Sequence, residues 1–156
     1  MAQRGVVKSG DEMSETVFVL NGPNLNLLGS REPEIYGSQT LDDIGAMLTS
    51  QAEKLGLAID MRQSNHEGHL IDWLHEAQAT GAKAVIINPG GYSHTSIALH
   101  DAVKAISTPV IEVHLSDPDK RESFRHVDFV GLAAHSAFKG HGSASYTLAL
   151  DAAARL

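Results

Sequence analysis

The sequence contains no cysteine, so neither a disulfide framework nor thiolate chemistry is available to it. No apolar run approaches the roughly 20 residues that a membrane span requires. The first fifteen residues are polar and lack the apolar centre of a signal peptide. Basic residues are in the minority: 12 Lys and Arg against 19 Asp and Glu leave a formal net charge of −7. That balance argues against a nucleic-acid partner, because phosphate binding needs a clustered basic surface. Neither GxGxxG nor GxxxxGK[ST] occurs, so the loops that cradle nucleotide phosphates are missing. These absences point to a cytoplasmic protein without a membrane or nucleic-acid partner. An anionic ligand would have to be held by a few local arginines against an unfavourable general field.

What is present fits one domain. The chain has 156 residues, 42% hydrophobic and 20% charged, an ordinary globular composition with length enough for a core. Residues 1–15 read as a flexible tail and 16–156 as a single catalytic domain. Short β-branched runs at 16–20, 57–62, 83–88, 109–114 and 134–139 predict five strands. Between them lie helical spacings: Leu41, Ile44, Met47 and Leu48 after a Thr40 cap; Leu70, Ile71, Trp73, Leu74 and Ala77; Ile97, Leu99, Val103 and Ile106. A brief helix around 121–124 and a last one over 145–155 complete the series. Strands alternating with helices imply a parallel sheet with right-handed crossovers. Runs such as Ala84-Val85-Ile86-Ile87 suit strands buried on both faces. The expected architecture is a flavodoxin-like three-layer α/β/α sandwich with a five-stranded parallel sheet in the order 2-1-3-4-5. Ligands bind such sheets beyond the carboxyl ends of the strands.

The unusual polar residues gather at those ends. The first strand leads into NGPNLNLLGSREPEIYG (residues 21–37), the second into RQSNHEGH (62–69), the third into NPGGYSHTS (88–96) and the fourth into IEVHLSD (111–117). Glu112 and His114 lie two apart on a strand and so share a face. A buried carboxylate–imidazole pair is costly unless it pairs internally or reaches a cavity. At the strand's carboxyl end the expectation is a working imidazole oriented by Glu112, with an ordinary pKa near 6.5 that suits general acid chemistry. Pro89-Gly90-Gly91 predicts a tight turn before a helix starting near Ser93 or Thr95, whose amides favour an anion. Asn88 and His94 add donors there, and Ser116 with the arginines at 121 and 125 adds a second set. The combination suits a small hydroxylated carboxylate.

In the opening loop, Tyr36 becomes a usable base if a nearby cation lowers its pKa from about 10. Arg31 suits that task because a guanidinium stays charged and does not compete for the proton. Gly29 and Gly37 flank the pair as candidate hinges for closure over substrate. The nine histidines invite a metal reading, yet HEGH at 66–69 is not HExxH and no third ligand stands at recognisable spacing, so no metal is expected. Lys54, Lys83 and Lys104 lie on helices or strands away from the rim, Lys139 alone of this group approaches it, and no lysine is well placed for a Schiff base.

The motifs NGPNLNLLGSREPEIYG, QSNHEGHLIDWLHEA, NPGGYSHTSIALHDA and IEVHLSDPDKRESFR, in that order and at that spacing, closely resemble the type II 3-dehydroquinate dehydratases. The resemblance runs from about residue 16 to the C-terminus. It implies dehydration of 3-dehydroquinate to 3-dehydroshikimate, by anti elimination through an enolate, with no cofactor, metal or imine. It implies that Tyr36 takes the C2 proton, that Arg31 activates Tyr36, that His114 protonates the departing C1 hydroxyl, and that Asn24 holds a water against the enolate oxygen. Asn88, His94, Leu115, Ser116 and Arg125 resemble the substrate-binding set, with Leu115 and Ser116 acting through backbone amides. Asp101 resembles the acidic residue presented to a neighbouring subunit's site, in a homo-oligomer expected to be a dodecamer of four trimers. The chain departs from the family at Ser145, where members often carry glycine before the tyrosine, and more loosely over 126–140.

Two other classes remain open on the sequence. A flavodoxin-like binding module would hold a nucleotide or flavin without catalysis, and an absorbance spectrum would reveal bound flavin. A scaffolding subunit would keep the fold without turnover, against which Arg31, Tyr36 and His114 all stand.

Overall fold

The computed structural model describes residues 3–7, 14–30, 32–36 and 38–156, with backbone alone for 3–7 and Tyr36. Arg31, Gly37 and the Tyr36 side chain lie outside the described residues.

A six-stranded sheet forms the middle layer. Its strands are β1 (Gln3–Val7), β2 (Glu15–Asn21), β3 (Leu57–Gln63), β4 (Ala84–Asn88), β5 (Val110–His114) and β6 (Ser136–Lys139), in the spatial order β1-β3-β2-β4-β5-β6. The five strands from β2 onward are parallel neighbours and reproduce the expected 2-1-3-4-5 order. β1 is an addition: residues 3–7, expected to be part of a loose tail, pair antiparallel with β3 from Gln3↔Gln63 to Val7↔Ile59. An antiparallel edge on a parallel sheet is common. Five residues among polar neighbours give too short a pattern to announce it.

Among the described residues six helices accompany the sheet: α1 (Pro33–Tyr36), α2 (Leu41–Leu55), α3 (Glu67–Ala79), α4 (Ile97–Ala105), α5 (Phe129–Ala133) and α6 (Ala144–Ala154). α2 begins as its sequence directs. The Thr40 hydroxyl accepts from the Asp43 amide at 3.1 Å while Asp43 accepts from the Thr40 amide at 3.0 Å, and Gly56 closes the helix at φ +70°. These reciprocal bonds satisfy donors that a helix start leaves open. Alternate strand residues then divide between two cores. Val17, Val19, Ile86, Ile111 and Val113 pack with Ile44 and Leu48 of α2 and with Tyr146 and Leu150 of α6. Phe18, Leu20, Val85, Ile87 and Val110 pack with Leu70 and Leu74 of α3, Leu99 of α4 and Val130 of α5. With Ile111 and Val113 committed to the first core, Glu112 and His114 must face the α4–α5 side.

Three local expectations change. The helix expected from Ser93 or Thr95 begins at Ile97, capped by the Ser96 hydroxyl on the Leu99 amide at 2.9 Å, and a 3₁₀ turn over Gly90–His94 precedes it. The brief helix around 121–124 is instead two 3₁₀ turns, Pro118–Lys120 and Ser123–Arg125. α5 is new. Ser145, the departure from the family pattern, is fully buried and its hydroxyl accepts from the His141 amide at 3.2 Å, so the larger residue is accommodated.

Candidate active site

β2, β4 and β5 end at one rim of the sheet, where a cavity of about 230 Å³ opens. Asn24, Asn88, His94, His114, Leu115, Ser116 and Arg125 all line it, and so does Arg121. Eight residues singled out in sequence therefore converge from the ends of three strands and the segments that follow them. Glu112 lies beneath them, fully buried. Asp101 does not line the cavity; it stands exposed on α4, 3.3 Å from His100. The helix α1 that carries Tyr36 approaches from one side, since Ile35 shares an adjoining cleft with Leu115, Ser116 and Arg121. A larger groove of about 510 Å³ between α2 and β3 lacks the histidine–asparagine–arginine convergence, so the chemistry belongs to the smaller cavity.

Two glycines let the first and third loops interlock. A Cβ on Gly22 would lie 2.6 Å from the Pro89 carbonyl oxygen, and one on Gly90, held at φ +58°, would lie 3.1 Å from that of Pro23. The Gly22 amide donates to the Asn88 carbonyl at 2.8 Å. Asn24 follows at φ 69°, a left-handed conformation that non-glycine residues adopt at a cost and often at functional sites. Its amide donates to Asn65 Oδ1 at 2.9 Å, and Gln63 Nε2 donates to the same oxygen at 3.1 Å. Gly22→Ala is expected to lower stability by about 1–3 kcal/mol, because backbone on both sides must move. An unchanged urea midpoint would show that the loops are not tightly apposed.

Asn88 is fixed from below. Its Nδ2 donates to the Tyr146 hydroxyl at 2.9 Å, the hydroxyl donates to Asn21 Oδ1 at 2.7 Å, and Asn21 Nδ2 donates to the Arg62 carbonyl at 3.0 Å. The Gly90 amide donates to Asn88 Oδ1 at 3.2 Å. All three side chains are buried, and burial raises the Tyr146 pKa above its ordinary value, so the phenol stays neutral. Tyr146 and Asn21 escaped attention in sequence because a lone tyrosine on an apolar helix and an asparagine at a strand end are ordinary.

The two histidines are poised as neutral rings. Their centroids lie 6.5 Å apart with planes 22° from parallel. His94 Nδ1 is 2.7 Å from the Val127 carbonyl; a carbonyl only accepts, so Nδ1 carries the proton and Nε2 is left as an acceptor. Burial, with the charges of His114 and Arg125, lowers the His94 pKa. His114 departs from its expected ordinary value: burial, aided by the Lys139 charge, pushes it down to about 4. Glu112 moves the other way, up to about 9, through burial and the neighbouring Asp128 carboxylate. Glu112 Oε2 lies 3.2 Å from His114 Nε2, and the charge state differs from an imidazolium–carboxylate pair.

Glu112, His114 and Asp128 bring three donor atoms within 4.8 Å of one another, as a metal site would. The Lys139 ammonium, however, stands 3.3 Å from Glu112 Oε1 and 2.5 Å from Asp128 Oδ2. That cation occupies the carboxylates and disfavours a second one. Lys139 was the lysine nearest the rim in the sequence. Asp128 raises its pKa against the lowering effect of burial, which keeps it charged and unsuited to imine formation.

Two guanidiniums complete the cavity. Arg125 Nε donates to Glu122 at 2.7 Å, and Arg121 Nη1 lies 3.4 Å from the Ser116 hydroxyl. Cations at the mouth, neutral histidines within and an amide at the floor can bind a hydroxylated carboxylate and deliver a proton to one of its oxygens.

The family description Dehydroquinase class II matches residues 15–154. The 3-dehydroquinate dehydratase of Phenylobacterium zucineum is 57% identical over 144 residues, covering 92% of this chain and 99% of that protein. The enzyme of the same name from Caulobacter vibrioides is 57% identical over 141 residues, covering 90% and 96%. The crystal structure of the type II dehydroquinase from Propionibacterium acnes superposes with a TM-score of 0.88 at 41% identity, covering 94% of this chain and all of that one. With the match spanning nearly the whole chain, this chain belongs to the class II dehydroquinase family.

Proposed function

We propose that the chain dehydrates 3-dehydroquinate to 3-dehydroshikimate by anti elimination through an enolate. The observation that carries this reading is the convergence of Asn24, Asn88, His94, His114 and Arg125 on one cavity in a chain of this family. The substrate carboxylate is met by the arginines and by backbone amides at Leu115 and Ser116, and its hydroxyls by Asn88 and by His94 Nε2. Tyr36, kept partly ionised by Arg31, takes the C2 proton. The electron pair moves onto the ketone oxygen, where Asn24 holds a water against the growing charge. The enolate then expels the C1 hydroxyl, which takes a proton from His114 and leaves as water.

Neither a metal nor an imine is needed, because the ketone itself acidifies the C2 proton and the cavity's dipoles stabilise the enolate. Asp101, exposed on α4, serves a neighbouring subunit in a homo-oligomer, for which a dodecamer of four trimers is the expected form. α4 packs on α5, and the two expose Ile97 and Leu132, apolar surface that an interface would cover. No helix among the described residues is long and apolar enough to cross a membrane.

The deciding experiment follows enone absorbance from 3-dehydroquinate, with chelator and with borohydride, on protein whose mass is measured in parallel. Turnover insensitive to both reagents, from an oligomer, is expected. Inactivation by borohydride in the presence of substrate would replace the enolate path with an imine, and a monomeric mass would remove the assembly.

A further inference from the structure

The acid arm of the site rests on a second set of charges that the reaction scheme does not use. Lys139 ends β6 directly beside His114 in the register. Asp128 caps α5, its Oδ1 accepting from the Gly131 amide at 2.8 Å and its Oδ2 meeting the Lys139 ammonium. Gly131 leaves room for both carboxyls: a Cβ there would stand 2.4 Å from Asp128 Oδ2 and 3.0 Å from Glu112 Oε1. Glu112 is fully buried, and neither its oxygens nor His114 Nε2 has a well-aligned hydrogen bond among the described residues. What they have is one another, the ammonium and the adjoining Asp128.

One ammonium compensates one carboxylate. The carboxyl with the better donors ionises, and that is Asp128, which has both Lys139 and an amide. The other keeps its proton, since an uncompensated buried charge is the costlier state. The consequence reaches His114 through its tautomer. A carboxylate at Oε2 would accept a hydrogen bond from Nε2–H, leaving a neutral ring with only a lone pair at Nδ1. A carboxylic acid donates to Nε2 instead, and the ring proton then sits on Nδ1.

We propose that Asp128, held anionic by Lys139, is a positioning residue that keeps Glu112 in its acid form, so that His114 turns a proton-bearing Nδ1 toward the cavity and is resupplied at Nε2 by Glu112. The inference rests on the dehydratase reading for its chemical use. As the C1–O bond breaks, the departing oxygen takes the Nδ1 proton and becomes water, while Nε2 takes the Glu112 proton, leaving a carboxylate. The proton removed from C2, released by Tyr36 to solvent, balances the one that Glu112 must regain. The pKa directions agree. Burial would raise Asp128, but its bonds to Glu112, Lys139 and the Gly131 amide hold it below the usual range. Other groups around the pair are few. Asp117 follows β5 and favours the imidazolium, while His94 faces the ring from the β4–α4 turn with Arg125 beside it. β4 and α6, also packed on β5, bring Asn88 and Tyr146, which bond to each other.

The test is a nitrogen-15 NMR titration of His114 in the full chain, with kcat and KM measured across pH. The wild type is expected to show the Nδ1–H tautomer and to titrate near 4. Asp128→Asn keeps an oxygen for the Gly131 amide but frees Lys139 to ionise Glu112, moving negative charge next to the imidazole. The His114 pKa should rise by one unit or more, the neutral ring should switch to Nε2–H, and kcat should fall at least tenfold with KM little changed. If Glu112 were already a carboxylate, removing Asp128 would lower the His114 pKa, so the sign alone overturns the proposal. Glu112→Gln, neutral and of the same shape, should keep the wild-type tautomer and low pKa while losing kcat; a switched tautomer in it would also overturn the proposal. The ring spectrum needs no turnover, so a catalytically silent wild type with the expected spectrum would end the dehydratase reading yet support this charge arrangement.

Discussion

Tyr36→Phe is expected to lower kcat for 3-dehydroquinate by about 10²- to 10⁴-fold, the usual worth of a positioned base, with KM nearly unmoved. The substitution removes one oxygen and leaves the ring, so binding by the arginines and by Asn88 is preserved. The phenol has a demanding task, since at its ordinary pKa near 10 only about one molecule in a thousand is ionised at pH 7. A guanidinium close by raises that fraction because it favours the phenolate. Arg31→Lys should therefore recover only part of the activity lost in Arg31→Ala, since an ammonium lacks the planar fork that holds a phenolate from two nitrogens. An unchanged kcat in Tyr36→Phe would remove the proposed base.

The second large effect separates the two arms. His114→Ala is expected to lower kcat for water loss by about 10²- to 10⁴-fold, yet to leave C2 proton removal in place. In deuterated solvent this variant should wash deuterium into recovered 3-dehydroquinate while making little enone. Tyr36→Phe should do neither. The difference follows from a stepwise path in which the enolate forms before the hydroxyl departs. Deuterium exchange lost along with product in His114→Ala would tie both steps to one event and contradict the stepwise order.

The base arm was legible only as chemistry. Arg31 and Tyr36 stand out because a loop rarely pairs a guanidinium and a phenol between glycines, but Arg31 and the Tyr36 side chain lie outside the described residues. The residues proposed to bind substrate were more fully legible. Asn88 ends β4, and His94, Leu115, Ser116 and Arg125 lie in the segments that follow β4 and β5; parallel β–α topology brings such positions to one rim. Less visible was what lies beneath them. Asp128 caps a five-residue helix too short for hydrophobic period to announce, and Lys139 ends a strand that was expected without any sign of the carboxyls it would face. The lowering of the His114 pKa was not legible either: burial and the facing Lys139 charge cause it, and neither can be counted along a chain.

By itself the sequence determined the alternation of strands and helices, the two buried faces and the polar residues at the strand ends. These follow from side-chain period, capping residues and glycines, which act within a few residues of themselves. Tertiary structure alone decided that Gly22 and Gly90 interlock two loops, that Tyr146 holds Asn88 and that one ammonium must serve two carboxyls, one buried and one half-buried. The physical reason is that desolvation and Coulomb energy depend on distances between residues far apart in the chain. The proton inventory of a buried cluster exists only once the fold has closed around it.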